Sequence, residues 1–303
     1  MIRVLFLCCA FIILGILTYQ NQQVHTKLNP VSARLLHPFD DRIRYKIGEV
    51  DPRFGLSHDD VVEISQQAAD IWTQATGKSY FVYDPKARLS IRLIYDERQQ
   101  ETEQRKKEIA KIDQRQNQWS QQKSHVDSLG KEMDQQYQLL NFKKAELSAL
   151  VDQHNQSINE INRLGGADPQ QRQQLEAQSQ ELERRMQQMQ IEIDSYNFNI
   201  QILNRKVDEL NQLNRHIDQS VSQFNQKFQP RLFDKGIFNG REIHVYEFSQ
   251  IDDLRITLAH EFGHALGLGH HNEPDALMFP MLKEQDMQNF KLHPADIALL
   301  TAR

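Results

Sequence analysis

Beyond residue 9 the chain contains no cysteine: its two thiols, Cys8 and Cys9, both lie in an apolar run at the N-terminus. No disulfide framework can be inferred for the remainder. No basic stripe appears, and the formal net charge is −5 over 303 residues, which argues against nucleic acid as a partner. Apolar residues are scarce too. Hydrophobic content is 39%, below the usual range for a globular protein, so a large part of the chain must be solvated rather than core.

The N-terminal run lacks something as well. Residues 1–19 read Met-Ile-Arg and then an apolar stretch from Val4 to Leu17, the positive start and apolar centre of a secretory signal. No small-x-small cleavage site follows; Thr18-Tyr-Gln-Asn-Gln-Gln comes next. With Tyr19 at the interface the run makes a short spanning helix, near the lower limit of length. An uncleaved signal-anchor at a membrane is the favoured reading, and a removed signal peptide is the alternative. A lipoprotein reading of Cys8 fails, because almost no apolar segment precedes it. Each alternative places the rest of the chain outside the cytoplasm.

What is present centres on Thr257-Leu-Ala-His-Glu-Phe-Gly-His-Ala-Leu-Gly-Leu-Gly-His270. His260 and His264 are four residues apart, so on a helix they share a face one turn apart. Two imidazoles so placed can bind one zinc, and Glu261 is near enough to act on a water at that metal. His270 follows six residues after His264. On a continuous helix six steps of about 100° would carry it roughly 240° round, away from the metal. Gly267 resolves this, since it can take the left-handed conformation that ends a helix and swings the chain back. Three neutral nitrogens with an open fourth position are the donor set of a catalytic zinc site. The plainer alternative is a histidine-rich helix without metal, but five specified residues at fixed offsets weigh against it. Leu254, Leu258, Phe262, Ala265 and Leu266 supply an apolar backing.

This extended motif resembles the metzincin metallopeptidases, and Ala276-Leu-Met-Phe-Pro280 is similar to their Met-turn, with Met278 as its methionine. The closing Leu292-His-Pro-Ala-Asp-Ile-Ala-Leu-Leu300 resembles the last helix of the matrixin branch. The resemblance implies an α+β fold, a small twisted mixed sheet plus helices. It also implies one catalytic zinc on His260, His264 and His270, Glu261 as general base, and a protein or peptide substrate. Phe279 stands near where some relatives carry a metal-facing tyrosine, so no tyrosine is assigned to the site. The family's cysteine-switch propeptide is missing, and no cluster matches its additional structural zinc or calcium.

Taken in order, residues 20–40 read as a polar linker with Pro30 and Pro38. Arg42–Ile47 alternates as a half-buried strand does. Ser57 is a helix N-cap, and Val61, Ile64, Ala68, Ile71, Trp72 and Ala75 give that helix one apolar face up to Gly77. Trp72 is a core residue on this reading. Leu89–Tyr95 is a second strand, and strand–helix–strand at this spacing suggests a right-handed crossover onto a mostly parallel sheet. After Pro230, Gly236–Phe238 is an edge-strand candidate and Glu242–Phe248 a strand leading into the metal helix. His271 reads as a surface residue, with Glu273 and Asp275 shaping the loop before Met278.

Between these halves the composition changes. From Asp96 to about Phe228 the chain is rich in Gln, Glu, Lys, Arg and Asn and has one proline. Apolar residues recur at alternating three- and four-residue steps, for example Tyr196, Ile200, Leu203, Val207 and Leu210, the spacing of a coiled coil. The earlier half follows more loosely, interrupted by Gln116, Lys123, Gly130, Lys144 and His154. Leu164-Gly-Gly-Ala-Asp-Pro169 is a helix stop followed by a fresh start. The expectation is a long antiparallel α-helical coiled-coil hairpin interrupting the peptidase domain. The divisions are then 1–19 anchor or signal, 20–40 linker, 41–97 first peptidase part, 98–228 hairpin, and 229–303 second peptidase part with the zinc site. A protein partner for the hairpin is a further expectation. The rival reading is a scaffold or binding protein whose peptidase-like domain is catalytically silent; an intact Glu261 speaks against it.

Overall fold

In the computed structural model the residues described are 15, 27–231, 233–281, 287–288 and 290–302. The apolar N-terminal run, and with it the signal-anchor expectation, lies outside them apart from Gly15. Among the described residues no helix is long and apolar enough to cross a membrane. The chain divides into two compact units, Met1–Lys107 with Pro230–Arg303, and Glu108–Gln229.

The first unit carries a five-stranded sheet in the order β2-β1-β3-β5-β4. Its strands are β1 (Ile43–Val50), β2 (Phe81–Tyr83), β3 (Leu89–Leu93), β4 (Gly236–Phe238) and β5 (Glu242–Val245). β1 pairs in parallel with β2 and β3, and β3 in parallel with β5. Only the outer strand β4 is antiparallel, with Ile237 opposite His244. The sheet is therefore mixed and mostly parallel, as a crossover connection requires.

Helices surround it: α1 (Val31–Leu36) and α2 (His58–Thr76) precede the long helices, while α5 (Ile251–Ala265) and α6 (Pro294–Thr301) close the chain. Ser57 and Asp60 form a reciprocal capping box at the start of α2, which satisfies two backbone donors that would otherwise lack partners. Gly77 ends it at φ 72°, the left-handed turn that glycine adopts without penalty. The apolar face of α2 buries Val61, Ile64, Ala68 and Trp72 against the sheet and α5. Phe262 of α5 stacks on Phe81 with centroids 4.2 Å apart and leans on Tyr45 at 5.2 Å.

Two parts of this unit were not legible in the sequence. Residues expected to be a loose linker include Asn29, which is buried; it donates to Arg42 O at 2.8 Å and accepts from Arg44 N at 2.8 Å. The chain there is stitched along β1, and Leu28 packs on the core. The second part is the start of α3 (Glu97–Arg163). Its first residues, expected in the hairpin, bond into the sheet unit. Gln99 is buried and accepts from Phe248 N at 3.0 Å, and Thr102 donates to Glu247 at 2.9 Å. Lys106 donates to Ser249 O, and Arg98 stacks 3.5 Å over the Tyr246 ring. Polar composition looked solvated there, but these side chains supply partners to buried backbone.

The second unit consists of the rest of α3 with α4 (Pro169–Lys227). Between them Gly165 and Gly166 adopt φ 103° and 106°, and Asp168 forms a capping box with Gln171 ahead of Pro169. Cross-helix contacts fix an antiparallel pairing: Arg115 to Ser220 at 2.7 Å, Lys143 to Glu192 at 2.8 Å, His154 to Ser179 at 2.9 Å. Tyr137 faces Tyr196 with centroids 6.2 Å apart. Leu210 and Ile217 are buried, yet the apolar Met186 and Tyr137 stay 55% and 50% exposed. Two helices alone form no second layer that could cover their flanks.

Candidate metal centre and cleft

The site is built on the last two turns of α5. His260, Glu261 and His264 project from it, and its opposite side buries Leu254, Leu258 and Phe262 in the core. Gly267 takes φ 82° just past the helix, its N–H bonding His264 O at 2.8 Å, so the chain reverses and returns His270. The ligand atoms of His260, His264 and His270 all lie within 4.8 Å of one another. The Nε2 atoms of His264 and His270 are 3.2 Å apart. Nitrogens held tetrahedrally at zinc's usual bond length stand about 3.3 Å apart, so this separation suits that ion.

Backbone carbonyls set the histidine tautomers. His260 Nδ1 lies 2.6 Å from Leu277 O, and His264 Nδ1 lies 2.8 Å from Leu268 O. A carbonyl can only accept, so each Nδ1 carries the proton and each Nε2 presents a lone pair to a metal. Burial, aided by the neighbouring imidazoles, depresses His260 to about 4, and burial likewise lowers His264. Both rings are therefore neutral around pH 7, the form that ligates.

Glu261 is buried, and desolvation raises its carboxyl to about 7 against a backbone bond from Phe238. Its Oε2 is buried without a hydrogen-bond partner. Glu261 lines the same cleft as the three histidines, and a buried carboxylate oxygen without a donor has acceptor capacity to spare. A neighbouring cation would oppose the desolvation and favour the ionised form. The residues present fit a zinc ion.

Three supports went unread in the sequence. A Cβ at Gly263 would collide with Met278 Sδ and come within 2.9 Å of Trp72 Cζ2, so only glycine lets the metal helix settle on this floor. Trp72 in turn donates from Nε1 to Ala259 O at 2.9 Å. A Cβ at Gly236 would lie 3.1 Å from Glu261 Oε1 and 2.9 Å from Thr257 Cγ2, so β4 approaches the carboxylate closely for the same reason. Asp296, fully buried at the start of α6, accepts from Leu277 N at 2.8 Å and Met278 N at 2.9 Å. It thereby fixes the turn whose carbonyl orients His260. A lone carboxylate within the apolar Pro-Ala-Asp-Ile-Ala-Leu-Leu was the available signal. Met278 is fully buried, as expected of it. His271 ties its own loop together, with its N–H on Met278 O at 2.8 Å and its Nδ1 accepting from Glu273 N at 2.9 Å.

A cleft of about 600 Å³ opens over these groups, lined by Phe233, Gly236, Ile237, Thr257, Glu261 and the three histidines among others. Its wall is held from behind. Lys235 Nζ lies 2.7 Å from Asp253, which is fully buried and also accepts from Ser249 N at 2.8 Å. Arg98 donates to Asp234 O at 3.1 Å, and Glu101 pairs with Arg231.

Comparison with known proteins decides what this arrangement belongs to. The family model described as matrixin matches residues 38–302. The chain is a member of the matrixin family. Similar proteins include matrilysin of Felis catus, 53% identical over 38 residues, which is 12% of this chain and 14% of that protein. Matrix metalloproteinase-19 of Homo sapiens is 54% identical over 50 residues, 16% of this chain and 10% of its own. Matrix metalloproteinase-16 of Rattus norvegicus is 46% identical over 46 residues, 15% and 8% respectively. The similarity to each relative thus covers a small fraction of both chains, whereas the family model spans both halves of the sheet unit and the long helices between them. Matrixins are zinc-dependent peptidases, typically extracellular or secreted. In this matrixin three histidines that could hold a metal, and the turn carrying Met278, stand where the sheet and α5 put them.

Proposed function

We propose that this matrixin is a zinc-dependent endopeptidase that hydrolyses peptide bonds outside the cytoplasm. The observation that carries the reading is the convergence of three histidine nitrogens in a cleft that Glu261 also lines, its buried Oε2 without a partner. His260, His264 and His270 would hold one zinc, which supplies Lewis acidity toward a carbonyl and makes water acidic near neutral pH. Glu261 takes a proton from the attacking water at its free Oε2 and passes it to the departing amine. Leu277 O and Leu268 O keep the two helical imidazoles in the ligating tautomer, and Asp296 keeps Leu277 in place. The free edge of β4 offers backbone groups to an extended substrate, by strand addition.

On the same reading, Glu108–Gln229 is a coiled-coil hairpin inserted into the peptidase domain, and it engages a protein partner or positions substrates. The apolar run at 4–17 holds the chain at a membrane. Mass spectrometry of membrane-extracted protein checks this last point; a mature chain beginning after Tyr19 would make the enzyme secreted instead. The peptidase reading is tested on the purified full-length chain with a library of unstructured peptides. Cleavage is expected, abolished by a zinc chelator and restored by adding zinc. A chain that binds zinc and cleaves no peptide would favour a silent domain serving the hairpin.

A further inference from the structure

Beside the catalytic cleft lies a second cavity, of about 340 Å³, lined by Lys27, Leu28, Arg88, Leu89, Phe238 and Arg241 among others. It shares Phe238 and His264 with the cleft. Its floor is apolar: Leu89 is fully buried and Leu28 packs against the core. Its rim carries three cations, and among the described residues no aspartate or glutamate lines it.

Each cation is delivered by a fixed piece of backbone. Asn29, bonded to both Arg42 O and Arg44 N at 2.8 Å, holds the segment bearing Lys27 and Leu28 alongside β1. Arg88 directly precedes β3. Arg241 directly precedes β5, in a turn where Asn239 accepts from Arg241 N at 3.0 Å and Glu242 N at 2.9 Å. Glu242 is the acid adjacent in sequence; its carboxylate is engaged first by His244 at 2.9 Å, lies 4.0 Å from Arg92, and also feels the charge of Arg241. A chain of net charge −5 that gathers three cations and, among the described residues, no acid round one cavity is arranged for an anion from elsewhere.

We propose that this cavity is a specificity subsite that takes an acidic side chain of the peptide substrate. The proposal rests on the peptidase reading above. β4 is the outer strand of the sheet, and a peptide extended along it advances about 3.3 Å per residue. Running from Gly236, beside Glu261, past Phe238 toward Arg241, it brings a side chain over the cationic rim about three to five residues from the bond cleaved. The apolar floor receives the methylenes of that side chain, and the rim receives its carboxylate.

An aspartate scan tests this. A fluorogenic peptide with alanine around the cleaved bond is the neutral reference, and aspartate is moved through each position on either side. The full-length chain is expected to favour aspartate at one or two positions on one side only, by about five- to tenfold in kcat/KM, as a few screened charge pairs give. Raising the salt should compress that ratio. The double variant Arg88→Glu with Arg241→Glu should invert it, so that lysine at the same position becomes the better substrate; thermal unfolding reports that the fold is kept. A flat scan, or a preference that survives the charge reversal, overturns the subsite. If no peptide of the set is cleaved, the peptidase reading itself has failed. Anisotropy of the labelled aspartate peptide on the Glu261→Gln chain then decides the cavity alone. Weaker binding after charge reversal supports it, and unchanged binding refutes it.

Discussion

The sheet unit and the helical unit bury apolar side chains by opposite means. In the sheet unit Ile43, Trp72, Leu89, Ile91, Phe262 and Met278 have no measurable exposure, because layers of helix and sheet enclose them. In the helical unit Leu210 and Ile217 mark the deepest burial on α4, while Phe198 and Ile191 are each 62% exposed. A lysine–carboxylate pair occurs in each unit and shows the contrast most clearly. Lys235–Asp253 has a fully buried acid, whereas Lys143–Glu192 leaves its partners 39% and 28% exposed. Enclosure fixes geometry to fractions of an ångström, which a metal centre needs. A two-helix seam needs only matching stripes, and it tolerates change accordingly.

The largest effect that can break or sharpen this comparison is expected at Trp72. Trp72→Ala removes the wall behind Gly263 and takes from Ala259 O its side-chain donor. Chemical denaturation should show a loss of about 3–5 kcal/mol. Phe198→Ala in the helical unit should stay within about 0.5 kcal/mol. Comparable losses at the two positions would mean that exposure does not separate the units.

The charge pairs come next. Lys235→Met strands a buried Asp253 and should cost about 3 kcal/mol, with zinc affinity falling as β4 loosens. Lys143→Met should leave the unfolding midpoint of the helical unit unchanged within scatter.

Two deletions rank third. Removing 108–229 with a short Gly/Ser bridge should preserve zinc content and turnover of short peptides, since paired helices emerge about 8–10 Å apart. Removing 99–229 should lower the unfolding temperature, because Phe248 N and Glu247 lose Gln99 and Thr102. Equal behaviour of the two deletions would show that the base of α3 does not belong to the sheet unit. A smaller effect than the losses at Trp72 and Lys235 is expected at Gly267. Gly267→Ala forces a left-handed alanine and should destabilise by about 1–2 kcal/mol, with weaker zinc binding through His270.

The convergence of His260, His264 and His270 was legible because the chemistry of a metal site dictates spacing. Two imidazoles on one helical face and a glycine that reverses the chain are written within eleven residues. The strand β1, the capped helix α2 and the edge strand β4 were legible from periodicity and turn residues. Asn29, Gln99 and Asp296 were not. Each is a polar residue in a stretch whose composition suggested something else, and each acts by bonding backbone distant in sequence. Gly236 and Gly263 escaped notice for a related reason: a close approach involves a partner that sequence does not name.

The account stands most directly on Glu261→Gln, measured for zinc content and peptide turnover in the same preparation. Glutamine preserves the shape and packing of the side chain and removes the proton acceptor. The account predicts about one zinc per chain, as for the unaltered protein, with turnover reduced to a residual level. Undiminished cleavage by the variant, with zinc bound, would contradict it and remove Glu261 from the reaction.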